Sequence, residues 1–256
     1  MITKNTIKFI HSLSIKKYRD AEQCFVGEGP KVVSDLLPLI SCRTLYATAN
    51  YLEHHTEARH RCCELVKVTQ AELERLSLLK TPREALAIFD MPTRSETIEA
   101  LSLLPGQQLC LALDGVQDPG NLGTIIRVAD WFGIEHIFAS PDTADVFAPK
   151  VVQATMGAIG RVKLHYLHLP ELLGRLAPET KVYGTFLDGA DMYAQHLENK
   201  GLIIMGNEGK GISNEVGNYV TNRLFIPSYP KGRATSESLN VAIATAIVCA
   251  AFRQQS

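Results

Sequence analysis

The feature that most constrains the fold is a series of short apolar runs in the second half of the chain. Gln108 to Leu113 (QLCLAL) and Leu202 to Met205 (LIIM) are hydrophobic on both faces. Such a strand must be covered on both sides. Strands His136 to Ala139, Val162 to Leu167, Lys181 to Leu187 and Arg223 to Ile226 share this half with helical patterns. The helices are Asn121 to Phe132, Pro149 to Gly157, Leu169 to Leu176 and Glu237 to Arg253. Strands alternating with helices predict a parallel sheet with helices on both faces. Ligands of such sheets sit beyond the carboxyl ends of the strands, where the loops gather.

The breakers Met91-Pro92 and Pro105-Gly106 mark a boundary. The expected organisation is a first domain over 1–91, a linker over 92–106 and the parallel-sheet domain over 107–256. The first domain reads as a small α/β unit. Its expected helices are Thr6 to Tyr18, Gly29 to Leu37 and Thr69 to Ser77, and its strands Gln23 to Val26, Arg43 to Ala47 and Ala85 to Phe89.

A chain of 256 residues with 46% hydrophobic content can bury a sizeable core. The net charge of −1 argues against wholesale coating by nucleic acid but permits a local basic patch. Lys4, Lys8, His11, Lys16, Lys17 and Arg19 form such a basic opening segment, readable as a phosphate-contacting surface or as a solvated helix face. No run of about 18 apolar residues suggests a membrane span, and the start has no signal-peptide pattern. The six cysteines form no CxxC and read as reduced thiols, so the expected compartment is the cytoplasm. Cys62 and Cys63 with His54, His55 and His60 match no zinc spacing, and no metal is expected.

Three loops carry the chemistry. In DGVQDPGNLGTIIR, Asp114 to Arg127, Pro119, Gly120 and Gly123 permit tight turning, and Asn121 is a candidate helix cap. In MGNEGKGIS, Met205 to Ser213, three glycines suggest backbone wrapped around a ligand. The loop has neither the Walker nor the GxGxxG spacing, which counts against a nucleotide-dependent dehydrogenase. In IPSYPKGRATSESLNVAIATA, Ile226 to Ala246, Ser238 and Asn240 precede a helix of small residues.

In this order and spacing the loops resemble the SpoU/TrmH family of the SPOUT methyltransferases. Asn121, Gly123 and Arg127 match its N-x-G-x-x-x-R motif; Gly206, Glu208, Gly209 and Gly211 match G-x-E-G-x-G; Ile226, Pro227, Ser238, Leu239, Asn240 and Val241 match I-P … S-L-N-V. The resemblance covers Gln108 to Arg253. Lys16 to Gly29 (KKYRDAEQCFVGEG) resembles the family's accessory domain, which is similar to RNA-binding ribosomal proteins.

The resemblance implies an α/β parallel-sheet domain with a deep trefoil knot, preceded by a small ribosomal-protein-like α/β domain. It implies S-adenosylmethionine as cofactor, tRNA or rRNA as substrate, methylation of a ribose 2′-hydroxyl, and a homodimer with the site near its interface. Arg127, Asn121, Glu208, Ser238 and Asn240 are the implied catalytic set. Gly206, Asn207, Gly209, Ile226 and Leu239, with Thr185, are the implied cofactor wall. Lys16, Lys17 and Arg19 are the implied RNA contacts. Arg127 would either hold a phosphate or the 2′-oxygen by charge-assisted hydrogen bonds or assist proton removal. Asn121 would orient Arg127 or the ribose, and Glu208 would anchor its loop or Arg127. The segment Ser228 to Ser236, with Lys231 and Arg233, is longer than in common family members. The alternative is a non-catalytic RNA-binding or assembly protein on the same fold.

Overall fold

The computed structural model describes residues 2–93, 95–230, 236 and 238–254. Contacts divide the chain into two compact units, Met1–Arg94 with Asp145–Arg161, and Ser95–Ala144 with Val162–Ser256.

The first unit runs α1 (Lys4–Ser12), α2 (Lys16–Glu22), β1 (Cys24–Glu28), α3 (Pro30–Leu36), β2 (Cys42–Ala47), α4 (Ala49–His54), β3 (Cys62–Lys67), α5 (Gln70–Leu76) and β4 (Ala85–Asp90). Its sheet has the order β1-β4-β2-β3. β2 and β3 are parallel, and the other neighbours are antiparallel. The single helix expected over Thr6 to Tyr18 is two helices. Leu13 at the break is fully buried, and the Ser14 hydroxyl donates to the His11 carbonyl at 2.7 Å. A serine that bonds its own backbone competes with helix continuation. Pro30 starts α3 after Gly29 at φ +85°, and Thr69 and Glu72 close α5 with a reciprocal cap.

The second unit contains α6 (Ile98–Leu103), β5 (Leu109–Asp114), α7 (Pro119–Trp131), β6 (His136–Ala139), β7 (Lys163–Tyr166), α9 (Leu169–Leu173), β8 (Val182–Asp191), β9 (Gly201–Gly206), α10 (Asn214–Gly217), β10 (Asn222–Phe225) and α11 (Val241–Gln254). Between β6 and β7 the chain makes α8 (Pro149–Thr155). The sheet is parallel throughout its described pairs, in the order β10-β8-β9-β5-β6-β7. Its central strands β5 and β9 are buried along nearly their whole length, as their apolar runs require. Each fully buried Leu or Ile there contributes about 1.5–3 kcal/mol.

Three further expectations change. Residues 92–106 were expected to be a linker, yet they hold α6, whose Leu101 is buried with Cys110, Ala112 and Ile204. The helix at Pro149 forms, but Asp145–Arg161 belongs to the first unit. Phe147 lies 4.9 Å from the Phe25 ring, and a Cβ at Gly157 would come within 2.5 Å of the Asp35 Cβ. Helix periodicity reports an apolar face and not the partner that covers it. Finally, β8 runs on to Asp191 instead of ending near Leu187. It leaves register with β10: Arg223 faces Gly184, and the next residue, Leu224, faces Ala190. Gly189 sits there because a Cβ would lie 2.5 Å from the Leu224 carbonyl carbon.

Candidate active site at the strand ends

β5 and β9 are neighbours with Asp114 opposite Gly206. The loops leaving them therefore start side by side. In the first loop Gly115, at φ +73°, makes the turn, and its N–H donates to Ser140 Oγ at 2.8 Å. Asp118 caps α7 by accepting from the Asn121 N–H at 2.8 Å. Asn121 was the candidate cap. With Asp118 in that role, the Asn121 carboxamide is released for other contacts.

The second loop turns back on itself. Asn207 and Gly211 exchange reciprocal backbone bonds of 2.9 Å. A Cβ on Gly206 would lie 2.3 Å from Gly211 C and Ile212 N, a separation no side chain tolerates. The Asn207 side chain is engaged at both ends: Nδ2 donates to the Gly115 carbonyl at 2.7 Å, while Oδ1 accepts from Gly209 N and Lys210 N at 2.9 and 3.0 Å. The Ser213 N–H donates to Asp114 Oδ2 at 2.7 Å. Asn207 is therefore a scaffold of the loop.

The third loop joins through Asn240. Its Oδ1 accepts from Ala242 N and Ile243 N at 2.9 and 3.3 Å and starts α11. Its Nδ2 donates to Asn121 Oδ1 at 2.9 Å, and Asn121 Nδ2 donates to Glu208 Oε1 at 2.8 Å. The orientation of both amides follows from this chain. The helix N-terminus demands an oxygen from Asn240, which leaves its NH₂ for Asn121, whose own NH₂ then faces a carboxylate. One hydrogen-bonded row thus links the three loops.

Arg127 is not part of that row. It lies on α7 six residues after Asn121, about 9 Å along the axis at 1.5 Å per residue. Its side chain is exposed and makes no hydrogen bond or ion pair among the described residues. Of the roles weighed for Glu208, the structure shows the loop anchor, with Asn121 as partner. Ser238 is exposed, Leu239 is 47% exposed, and Ile226 and Thr185 are half-buried. Thr185 sits just past the last β8 residue in register with β9. Lys231 and Arg233 lie outside the described residues.

The backbone N–H and C=O of Ile226 and Leu239 have no partner among the described residues. Half-apolar walls with open backbone donors and acceptors suit the face and edge of an adenine ring, so these residues fit the adenosyl part of S-adenosylmethionine. Sequence reasoning missed Asp114, Asp118 and Ser140, which brace the first loop. The position of an aspartate at the end of a buried strand was the available signal.

Of the expected RNA contacts, Lys16 and Lys17 are exposed at the start of α2. Arg19 is a correction. It is 2% exposed, donates to the Leu13 carbonyl at 2.7 Å and pairs with Asp145 Oδ2 at 2.5 Å. It has no surface to offer RNA. Among the described residues no group of three His, Cys, Asp or Glu side chains could hold a metal ion, and no helix is long and apolar enough to cross a membrane.

A parallel sheet with glycine-bearing loops tied together at its carboxyl edge defines an α/β class whose ligands lie at that edge. Within it, the model of the SpoU rRNA methylase family matches residues 108–250, and that of the MRM3-like substrate binding domain matches residues 4–87. The chain belongs to the SpoU rRNA methylase family. It is 30% identical over 246 residues to the 23S rRNA (guanosine(2553)-2′-O)-methyltransferase RlmP of Bacillus subtilis, covering 94% of this chain and 93% of that one. A Porphyromonas gingivalis structure assigned to the TrmH family of RNA methyltransferases superposes with a TM-score of 0.85 at 42% identity, covering 100% of both chains. An AdoMet-bound rRNA methyltransferase from Sinorhizobium meliloti does so at 0.84 and 29% identity, covering 99% of this chain and 96% of that one.

Proposed function

We propose that this protein methylates a ribose 2′-hydroxyl of ribosomal RNA, with S-adenosylmethionine as methyl donor. The observation that carries the reading is the row from Asn240 through Asn121 to Glu208, which ties three loops to one strand edge. The full-length relative named for 23S rRNA supports the choice of ribosomal over transfer RNA.

When bound, the donor supplies an electrophilic sulfonium methyl. The difficulty lies with the sugar hydroxyl, which is a weak acid and a weak nucleophile. Gly206, Ile226 and Leu239 hold the donor through their backbone, with Gly209 and Thr185 on the same wall. Asn207 shapes the second loop from within. Arg127, whose side chain has no partner among the described residues, holds the RNA phosphate or the 2′-oxygen and stabilises the charge that develops during transfer. Ser238 and Asn240 complete the polar rim. The exposed Lys16 and Lys17, with Lys4 and Lys8, contact phosphate and position the RNA without reading it.

The active species is a homodimer in the cytoplasm. Trp131 is 84% and Ile243 55% exposed, on the packed pair of helices α7 and α11. Covering this face with a second copy would also give Arg127 a site to complete. Calorimetric titration with S-adenosylmethionine and mapping of 2′-O-methyl groups in total RNA, with and without the protein, test the reading. Donor binding and loss of one rRNA mark in its absence are expected. No donor binding would favour the non-catalytic RNA-binding alternative.

A further inference from the structure

The first unit contains a cleft of about 140 Å³ lined by Ser34, Leu37, Tyr51, His55, Glu57 and Arg61, together with Pro38 and Ala58. None of these residues belongs to the site described above. The lining is about half polar and half apolar, and the polar groups are ordered. Tyr51 is fully buried, and its hydroxyl lies 2.9 Å from Ser34 Oγ. Ser34 Oγ lies 3.2 Å from His55 Nδ1. The His55 ring stacks on Tyr51 at 4.4 Å between centroids.

The proton positions in this relay follow from burial. The Tyr51 hydroxyl has Ser34 as its one described partner, so it must donate there or leave a buried donor unsatisfied, at about 1–3 kcal/mol. Ser34 then turns its own proton to His55 Nδ1. With Nδ1 accepting, the ring N–H sits on Nε2, which has no partner among the described residues. Burial also raises the Tyr51 pKa and keeps its hydroxyl protonated. Arg61 and Glu57 add a forked cationic donor and a carboxylate acceptor, and neither has an ion-pair partner among the described residues.

We propose that this cleft takes a single unpaired guanine base. The inference rests on the reading of the first unit as an RNA-holding module. A phosphate is a poor occupant, because Glu57 repels it and the apolar half of the lining, Leu37, Pro38 and Ala58, offers it nothing. A planar base gains from that apolar half and from the polar groups beside it. Guanine presents O6 and N7 as paired acceptors, the pattern an arginine reads bidentately. Its N1–H and N2–H₂ are donors that a carboxylate accepts. Adenine would turn an amino group toward Arg61 in place of O6. The cavity holds several waters at about 30 Å³ each, which is the scale of one base and smaller than a whole nucleotide.

The test uses the full chain, ¹⁵N-labelled at histidine, titrated with guanosine, adenosine and inorganic phosphate. The free protein should show the His55 Nε2–H tautomer. Guanosine should saturate with a shift of that resonance, at least tenfold tighter than adenosine. The exposed-site variants Arg61→Ala and Glu57→Gln should each weaken guanosine at least fivefold without moving the melting temperature. Equal binding of adenosine, displacement of guanosine by phosphate, or no change at His55 would overturn the proposal. Donor binding and methyl transfer by the same preparation are read separately. Transfer without guanosine recognition sinks only the cleft, and recognition without transfer sinks only the proposed reaction.

Discussion

The two units use polar side chains in opposite ways. In the mixed sheet of the first unit, strands point both ways and polar groups inside it do structural work. Arg19 is spent on Asp145 and Leu13, and Glu28 accepts from the Ser77 hydroxyl and from Leu78 N at 2.9 Å. In the parallel sheet of the second unit, every described strand sends its following loop to the same edge. There Asn121, Glu208 and Asn240 meet while remaining partly or fully exposed. Strand direction alone decides whether loops disperse or converge. A charged residue in a helix pattern therefore carries different information in the two halves.

This contrast can be broken or sharpened by substitution. Arg19→Ala should cost about 3–5 kcal/mol of stability, read by denaturant unfolding, because Asp145 would be left without its cation. An equally stable variant that bound RNA less tightly would return Arg19 to the surface role it was first given. Arg127→Ala should leave the melting temperature and donor affinity in place while methyl transfer falls at least about a hundredfold, the signature of an interaction made in the transition state. Near-normal transfer would remove Arg127 from the chemistry. Gly206→Ala should abolish saturable donor binding in calorimetry, since the loop must move away from Gly211 at an overpacking cost of about 1–3 kcal/mol. Asn121→Ala should weaken donor binding up to about thirtyfold, as two hydrogen bonds of about 1 kcal/mol each are lost between the loops.

The smallest effect concerns Glu28. Burial raises its pKa, against the lowering effect of bonds from Ser77 and Leu78. The folded state thus prefers the protonated acid. That preference stabilises the fold below the ordinary glutamate value of 4.5 and is lost as pH rises through the raised folded value. Glu28→Gln should accordingly gain on the wild type at pH 7, with the difference vanishing as pH falls toward 4. A wild type that strengthens over this same rise would reverse the sign and refute the account.

Much of the second unit was legible because its strands are apolar runs and its loops carry glycines where backbone touches backbone. The meeting of Asn121 with Glu208 was foreseeable only as membership in one site. Which side chain capped α7 was not, since Asp118 and Asn121 are both good caps and three residues apart. The hidden parts are those where local pattern is silent. β3, CCELVK, is an edge strand with mixed exposure and no apolar/polar alternation. α8 shows a clear helical face, but its cover is β1, more than a hundred residues earlier in the chain. Arg19 looked like a surface cation because a buried ion pair needs a distant aspartate that no local window contains.

The step in register between β8 and β10 has a protective consequence. β10 is the outermost strand of its sheet, and such a border invites pairing with a foreign chain. Here it is four residues long, interrupted after Arg223, and flanked by an outgrowth in which Asp188 grips Arg223 at 2.6 Å while the guanidinium lies 3.5 Å from the centre of the Phe186 ring. A border so short and kinked is a poor template for a seventh strand, which shields the sheet from fibril-like stacking even at high concentration.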